Sequence, residues 1–121
     1  MNTFTTLFTT QPSYEQLAEA FDTIEADITY IDDNDIVLYF NPFRIFDRPA
    51  SCLNENVYDC HPEKVHGAVT RMLDAFREGP SDTHSEETRA PNGRLIRVCY
   101  HAIRDAKGAY LGCLEAVTYR D

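Results

Sequence analysis

The sequence predicts an α+β fold, in which helices cover one face of a five-stranded antiparallel sheet and a further helix precedes the sheet. Two apolar runs flank the polar segment Asp32–Asp35, a pattern typical of a β-hairpin. A long amphipathic segment then ends at Gly79-Pro80, which is a helix stop signal. Three stretches of strand character follow, separated by the turns Pro91-Asn92-Gly93 and Asp105–Gly108. This order of helix, hairpin, helices and three strands predicts the architecture.

The first helix is expected over residues 13–26. Ser13 and Gln16 have the spacing of a capping box, in which each side chain bonds the other's backbone N–H. One face of this helix is apolar and consists of Leu17, Ala20, Phe21 and Ile24. This face could lie on the outer side of the sheet, bind a second copy of the chain, or do both.

Strict alternation in the hairpin predicts which side chains share a face. Ile36, Leu38 and Phe40 should point to one side of the sheet, and Val37 and Tyr39 to the other. Both sets are bulky, so we expect at least partial cover on each face of the sheet.

The longest helix is predicted from Pro62 to Glu78, with the proline at its first position, where the missing N–H costs nothing. Its inward stripe has helical spacing, with Leu73 at its edge, and consists of Val65, Val69, Met72 and Phe76. The acidic run Asp82–Glu87 is expected to be a solvated loop leading to a short strand near 86–90.

The last two strands show clear strand patterns. Residues 94–103 alternate, and the side chains predicted to share the inner face are Ile96, Val98, Tyr100 and Ala102. Tyr110–Tyr119 is the final strand, and Gly112 within it predicts a bulge or a close approach of two backbones.

Composition limits the possible functions. The chain has 121 residues and a net charge of −9, which disfavours nucleic acid and anionic membranes as partners. No apolar run approaches the roughly 20 residues that span a bilayer, and the N-terminus does not resemble a signal peptide, so a cytoplasmic protein is expected. Residues 1–12 are expected to form a flexible arm, and residues 13–121 one domain with its core at 27–120. The four cysteines have no CxxC spacing and are expected to be reduced.

A pocket between the sheet and the long helix is the expected ligand site. The candidate ligand-binding residues around it are His61, His66, Cys60, Tyr100, Phe40 and Met72. His61 could face the pocket mouth or lie half-exposed in a loop, and His66 could border the pocket or bond a nearby carbonyl. Tyr100 could offer its hydroxyl to a ligand or serve in the core with a solvated tip.

Cys60 raises the question of redox or metal chemistry. A helix N-terminus would lower its pKa and favour reaction, whereas Asp59 beside it would act in the opposite direction. Cys60 and His61 are adjacent, and adjacent side chains seldom reach the same ion, so no dedicated metal site is expected. The same geometry argues against a catalytic Cys-His pair, and we expect no enzymatic activity.

Three segments of the chain resemble a PAS domain. Residues 28–41 look like the first hairpin of that family, and residues 104–118 resemble its closing hairpin. Residues 57–66, with the sequence VYDCHPEKVH, are similar to the start of the long helix in one subgroup. That subgroup often follows hemerythrin-like modules in bacterial proteins of unknown function. The resemblance covers about residues 13–120.

The resemblance implies a sensory module for signal transduction that binds a small molecule or a partner signalling protein. Ligands in the family include haem, flavin and small carboxylates, and for many members no ligand is known. In haem-binding members a histidine on the long helix commonly ligates the iron, so His66 or His61 would be the haem ligand here. Two alternatives to a small-molecule sensor therefore stay open. One is a ligand-free homodimer formed through the 13–26 helix and the outer sheet face, and the other is a haem-based redox or gas sensor.

Overall fold

The computed structural model describes residues 12–121 and confirms the predicted α+β fold. Five strands form one antiparallel sheet in the order β2-β1-β5-β4-β3. The strands are β1 (Asp27–Asp32), β2 (Val37–Phe40), β3 (Thr83–Arg89), β4 (Leu95–Arg104) and β5 (Tyr110–Tyr119). The α-helices in this part of the chain are α1 (Tyr14–Asp22) and α2 (His66–Glu78). Short 3₁₀ turns connect β2 to α2 at Ala50–Cys52, Val57–Cys60 and Glu63–Val65.

Helix α1 begins as predicted and ends earlier. The capping box is present: Ser13 Oγ accepts from the Gln16 N–H at 3.1 Å, and Gln16 Oε1 accepts from the Ser13 N–H at 2.8 Å. The helix ends at Asp22 instead of residue 26, and none of its residues is buried. Its end contacts Tyr39 of β2, whose hydroxyl donates to Asp22 at 2.7 Å. The predicted flexible arm lies, apart from Pro12, outside the described residues.

The predicted face assignment of the hairpin is wrong because β2 contains a bulge. Tyr39 pairs with Tyr30, but Val37 pairs with Ile31, which leaves Leu38 as an extra residue. Alternation is therefore interrupted at Leu38. Val37 is fully buried, Leu38 is 48% exposed, and Phe40 packs against the same core cluster as Val37.

Two local predictions from turn and glycine residues are confirmed. Asp32 Oδ1 accepts the N–H groups of Asn34 and Ile36, at 2.9 and 3.0 Å, and so closes the hairpin turn. Gly112 lies where two backbones meet: a Cβ there would be 2.2 Å from the carbonyl oxygen of Ile31. The close approach of β5 to β1 therefore requires glycine at this position.

Helix α2 starts later than predicted. Residues 63–65 form a 3₁₀ turn with Pro62 as its N-cap, so the α-helix proper begins at His66. Leu73, which was predicted at the edge of the apolar stripe, is fully buried together with Phe76. Gly79 ends the helix in left-handed geometry, at φ 91°, as the stop signal predicted.

The expected acidic loop is a strand. Thr83–Arg89 forms β3, which pairs with β4 from Thr83↔His101 to Arg89↔Leu95. All seven of its residues are exposed. An edge strand with two solvated faces has no apolar alternation, and hydrophobic periodicity therefore gives no signal for it.

The core consists of two clusters on the inner face of the sheet. The first contains Ile31, Val37, Val57, Leu73, Phe76 and Cys113. The second contains Ala90, Ile96, Val98 and Val117. Tyr100 packs against both clusters, which confirms that Ile96, Val98 and Tyr100 share the inner face. Within residues 12–121 no helix is both long enough and apolar enough to cross a bilayer.

Candidate functional site

A small, partly open cavity of about 30 Å³ lies between the sheet and α2. Its apolar lining residues are Ile31, Val57, Val69, Met72, Leu73 and Cys113. Its polar lining residues are Thr29, Arg48, His61, Tyr100 and Glu115. A space of this size holds about one or two water molecules. A larger ligand therefore requires the walls to move.

An open cleft of about 680 Å³ adjoins this cavity between α2 and β3. The cleft is lined by His61, Val65, Ala68, Val69, Arg71, Met72, His84, Glu86 and Tyr100. Four residues line both spaces, namely His61, Val69, Met72 and Tyr100. These four residues, here called the wall, separate the cavity from the cleft.

A buried ion pair lies in the lining of the cavity. Arg48 Nη2 donates to Glu115 Oε1 at 3.2 Å, and the two side chains are only 8% and 11% exposed. The Arg48 Nε and Nη1 atoms are buried and find no hydrogen-bond acceptor among residues 12–121. Burying an unused donor costs about 1–3 kcal/mol, so such groups are uncommon in native interiors. A residue of the cavity lining thus has two buried donors that the described part of the protein does not satisfy.

Tyr100 of β4 and Glu115 of β5 are directly paired across the sheet, and both line the cavity. Burial, together with the negative charge of Glu115, raises the pKa of Tyr100 well above its ordinary value. Tyr100 is therefore a neutral hydroxyl at physiological pH, beside the carboxylate that holds Arg48.

A second buried arginine lies four residues earlier and is satisfied by the protein. Arg44 Nη2 lies 2.9 Å from Asp27 Oδ1, and its Nε and Nη1 donate to the carbonyls of Phe46 and Ile28, each at 3.2 Å. Asp27 Oδ2 accepts the N–H groups of Ile45 and Phe46. Arg44 therefore fixes the connection after β2 against β1.

The two candidate histidines differ in position. His61 lines both the cavity and the cleft, and its Nδ1 lies 2.9 Å from the Val57 carbonyl oxygen. It ends the 3₁₀ turn Val57–Cys60. His66 lines neither space. Its Nε2 lies 3.0 Å from the His61 carbonyl oxygen and its ring packs edge-on against Tyr58.

Cys60 and Phe40 line neither the cavity nor the cleft. Cys60 lies in a 3₁₀ turn and not at the start of an α-helix, so a helix N-terminus does not act on its pKa. Burial, and then the neighbouring Cys52 thiol, raise the pKa of Cys60 to about 11. Phe40 packs against the first core cluster, with the Arg44 guanidinium 5.1 Å from its ring centre.

Cysteine and metal chemistry have little support in the described residues. All four cysteines are free thiols, as expected. Across residues 12–121 no group of three or more His, Cys, Asp or Glu side chains is arranged to hold a metal ion.

The structure thus brings three predicted residues together, His61, Met72 and Tyr100, at the wall. Sequence reasoning missed Arg48 and Glu115. Arg48 lies in a connection between two prolines, where periodicity carries no information. Glu115 did carry a signal, because a carboxylate in the middle of an apolar strand must find a partner when the strand is buried.

The family model described as PAS domain matches residues 17–119. The match spans most of the chain, and the chain therefore belongs to the PAS domain family. PAS domains serve as sensory modules in signalling proteins. No curated protein sequence matches this chain.

Solved structures show the same fold. The C-terminal domain of a protein from Streptococcus mutans is 29% identical with a TM-score of 0.83, over 93% of this chain and 88% of that one. The PAS domain of BvgS from Bordetella pertussis is 12% identical with a TM-score of 0.69, over 88% and 85% of the two chains. VqmA from Vibrio cholerae, described as a dimer, is 15% identical with a TM-score of 0.59 and matches over 92% of this chain and 52% of its own. At 12% and 15% identity, the similarity to BvgS and to VqmA shows a shared fold only.

Proposed function

We propose that this PAS domain is a sensory module without catalysis of its own, which binds a small molecule between the sheet and α2 and passes a change of shape to a partner signalling protein. One observation carries the proposal. A small cavity with a buried ion pair in its lining shares four wall residues with an open cleft. Ligand sites are commonly of this kind, mostly apolar with a few convergent polar groups.

The wall is suited to opening. Met72 is unbranched and flexible, and it adapts to new shapes at low cost. A ligand that passes between Met72 and Tyr100 would join the cavity to the cleft and displace α2 from β4. Such a displacement of a helix against the sheet is the change of shape that a partner could detect. VqmA, a relative in fold, has been solved bound to DPO, which supports ligand binding by analogy.

Indole tests the proposed position of the site, because it is compact, apolar and neutral. Titration of ¹⁵N-labelled protein should shift the amide resonances of Val69, Met72 and Tyr100. Val69→Phe fills the wall and should weaken indole binding at least about tenfold, since overpacking leaves no room. Val65→Phe is the matched control, because Val65 lines only the cleft. Shifts confined to other surfaces, or equal binding to both variants, would contradict the proposed position.

A second candidate function, homodimerisation, is favoured by the exposed face of α1. Leu17, Phe21 and Ile24 are 44%, 46% and 38% exposed. A second copy of the chain is the proposed occupant, because an apolar helical stripe of this kind pairs well with itself around a two-fold axis. Sedimentation should show a dimer that Leu17→Glu converts to a monomer. Glu19→Gln, which leaves the stripe intact, should remain dimeric, and a native monomer at high concentration would exclude the candidate.

For a haem, which is the remaining alternative, the two histidines are not equivalent. His66 does not fit an iron ligand, because its Nε2 is held by the His61 carbonyl and it lines neither space. His61 fits better, because its Nδ1 meets a backbone carbonyl, the usual second partner of a ligating histidine. Addition of hemin should then give a shifted Soret band that His61→Ala abolishes and His66→Ala retains.

A further inference from the structure

We propose that the ligand of this domain is a short apolar molecule ending in an oxygen acceptor, and that Arg48 is the residue that recognises it. This inference rests on the proposed ligand site between the sheet and α2. It adds the chemical class of the ligand and a specificity-determining residue.

The donors of Arg48 carry the inference. The side chain is 8% exposed and lines the cavity, yet only Nη2 has an acceptor in the described chain, Glu115 Oε1. Nε and Nη1 remain buried with N–H groups to donate. A guanidinium has only donors, so the group that satisfies it must be an acceptor, and carbonyl or carboxylate oxygens suit it best.

The neighbouring charges are already committed to protein partners. Glu115 Oε1 accepts from Arg48 Nη2, whereas Asp27 is not part of the cavity lining. Asp27 Oδ2 accepts two backbone N–H groups, and its Oδ1 lies 2.9 Å from Arg44 Nη2 without a hydrogen bond to any described residue. Neither acid therefore satisfies Nε or Nη1 of Arg48 in the described chain. A ligand cation would meet a guanidinium with no acceptor to offer and is disfavoured.

The rest of the cavity defines the other end of the ligand. Apart from the ion pair and a few other polar groups, the lining is hydrocarbon and thioether, from residues that include Val57, Val69, Met72 and Leu73. A short apolar chain matches this surface and can extend across the wall into the cleft. The acceptor can belong to a carboxylate or to a neutral amide, and these two sources are separated by experiment.

Calorimetric titration with hexanoate, hexanamide and hexylamine tests the inference. We expect the acid or the amide to bind at least about tenfold more tightly than the amine, because only these two offer an acceptor to the unused N–H groups of Arg48. If hexanoate binds more tightly, the acceptor in the natural ligand is a carboxylate; if hexanamide does, it is a neutral amide. Arg48→Met should weaken that ligand at least about tenfold. Arg48→Lys, which keeps the charge and the bond to Glu115, serves if Arg48→Met does not fold.

Arg44→Lys is the matched control and should leave binding unchanged, because Arg44 lines neither space. Equal affinity for the amine, or affinity unchanged in Arg48→Lys, would overturn the inference. Ordered water alone on Nε and Nη1, with no binding of acid or amide, would overturn it too. Indole binding at the wall in that case would preserve the proposed function. Failure of all four probes would reject both.

Discussion

Two buried arginines, four residues apart in one connection, have opposite environments. Arg44 pairs with Asp27 and uses all three guanidinium nitrogens on protein acceptors. Arg48 pairs with Glu115 and uses one. The partners of Arg44 include the N-terminal half of β1, and Ile45 and Phe46 beside it pack against the second core cluster. The Arg48 pair instead borders the cavity beside the first cluster.

The difference separates a structural ion pair from one available for function. Burial of a charge is costly, and a protein that needs only stability satisfies every donor, as around Arg44. The unused donors of Arg48 cost stability in the absence of another acceptor. Functional sites are the usual places where such a cost is retained. Burial does not distinguish the two arginines, because their side chains are nearly equally buried. The number of N–H donors that have an acceptor does distinguish them.

The largest expected difference in the free energy of unfolding is between substitutions of Asp27 and Glu115, the carboxylate partners of the two arginines. We expect Asp27→Asn to lower the free energy of unfolding by about 3–5 kcal/mol, because it leaves a buried Arg44 without its partner charge. An amide nitrogen would also face groups that now donate to Asp27. Glu115→Gln also removes the partner charge of a buried arginine, but Glu115 has no counterpart of the two backbone N–H bonds to Asp27 within residues 12–121, so its cost should be lower by about 1–2 kcal/mol. Urea unfolding monitored by circular dichroism measures both, and equal losses would refute the distinction.

Replacement of each arginine by lysine should give a smaller difference in the free energy of unfolding. Arg44→Lys removes two or more hydrogen bonds and should cost about 2–3 kcal/mol. Arg48→Lys can keep its contact with Glu115 and should cost less than about 1 kcal/mol. The same unfolding titration compares them directly. A larger loss for Arg48→Lys would mean that its unused nitrogens contribute to stability through groups such as bound water.

The smallest expected effect compares packing beside the cavity with packing in the second core cluster. Val57→Ile adds a methylene beside the cavity and should stabilise the fold by up to about 0.8 kcal/mol. Val117→Ile adds the same group to a fully buried position in the second cluster and should destabilise it by about 1–3 kcal/mol. Thermal unfolding at a common pH measures both variants. Destabilisation by Val57→Ile would show that the cavity does not accept added volume.

Much of the fold was predictable because its signals are local. The Ser13–Gln16 capping box, the Asp32 turn and the Gly79 stop each depend on side chains within a few residues of the backbone groups that they bond. Interactions between residues that are so close along the chain can be recognised in a single sequence. The elements that were missed had no local signal, as for β3, whose residues are all exposed.

The bulge at Leu38 illustrates a different limit. Strand alternation correctly predicted side chains on both faces of the sheet. The inserted residue Leu38, however, moves Val37 to the face opposite the predicted one. Only pairing with β1 reveals the insertion. Phe40 and Val37 consequently share the core, although their spacing predicts opposite faces.

By itself the sequence determined the order of elements and the sheet they form, and it predicted three residues that line the cavity, His61, Met72 and Tyr100. Only the tertiary structure decided that Arg48 meets Glu115, 67 residues away, and that the pair leaves two donors unused beside a cavity. Propensity and periodicity act over a few neighbours along the chain. Satisfaction of a buried charge depends on every group that packing brings within about 3 Å, and this is a property of the folded molecule.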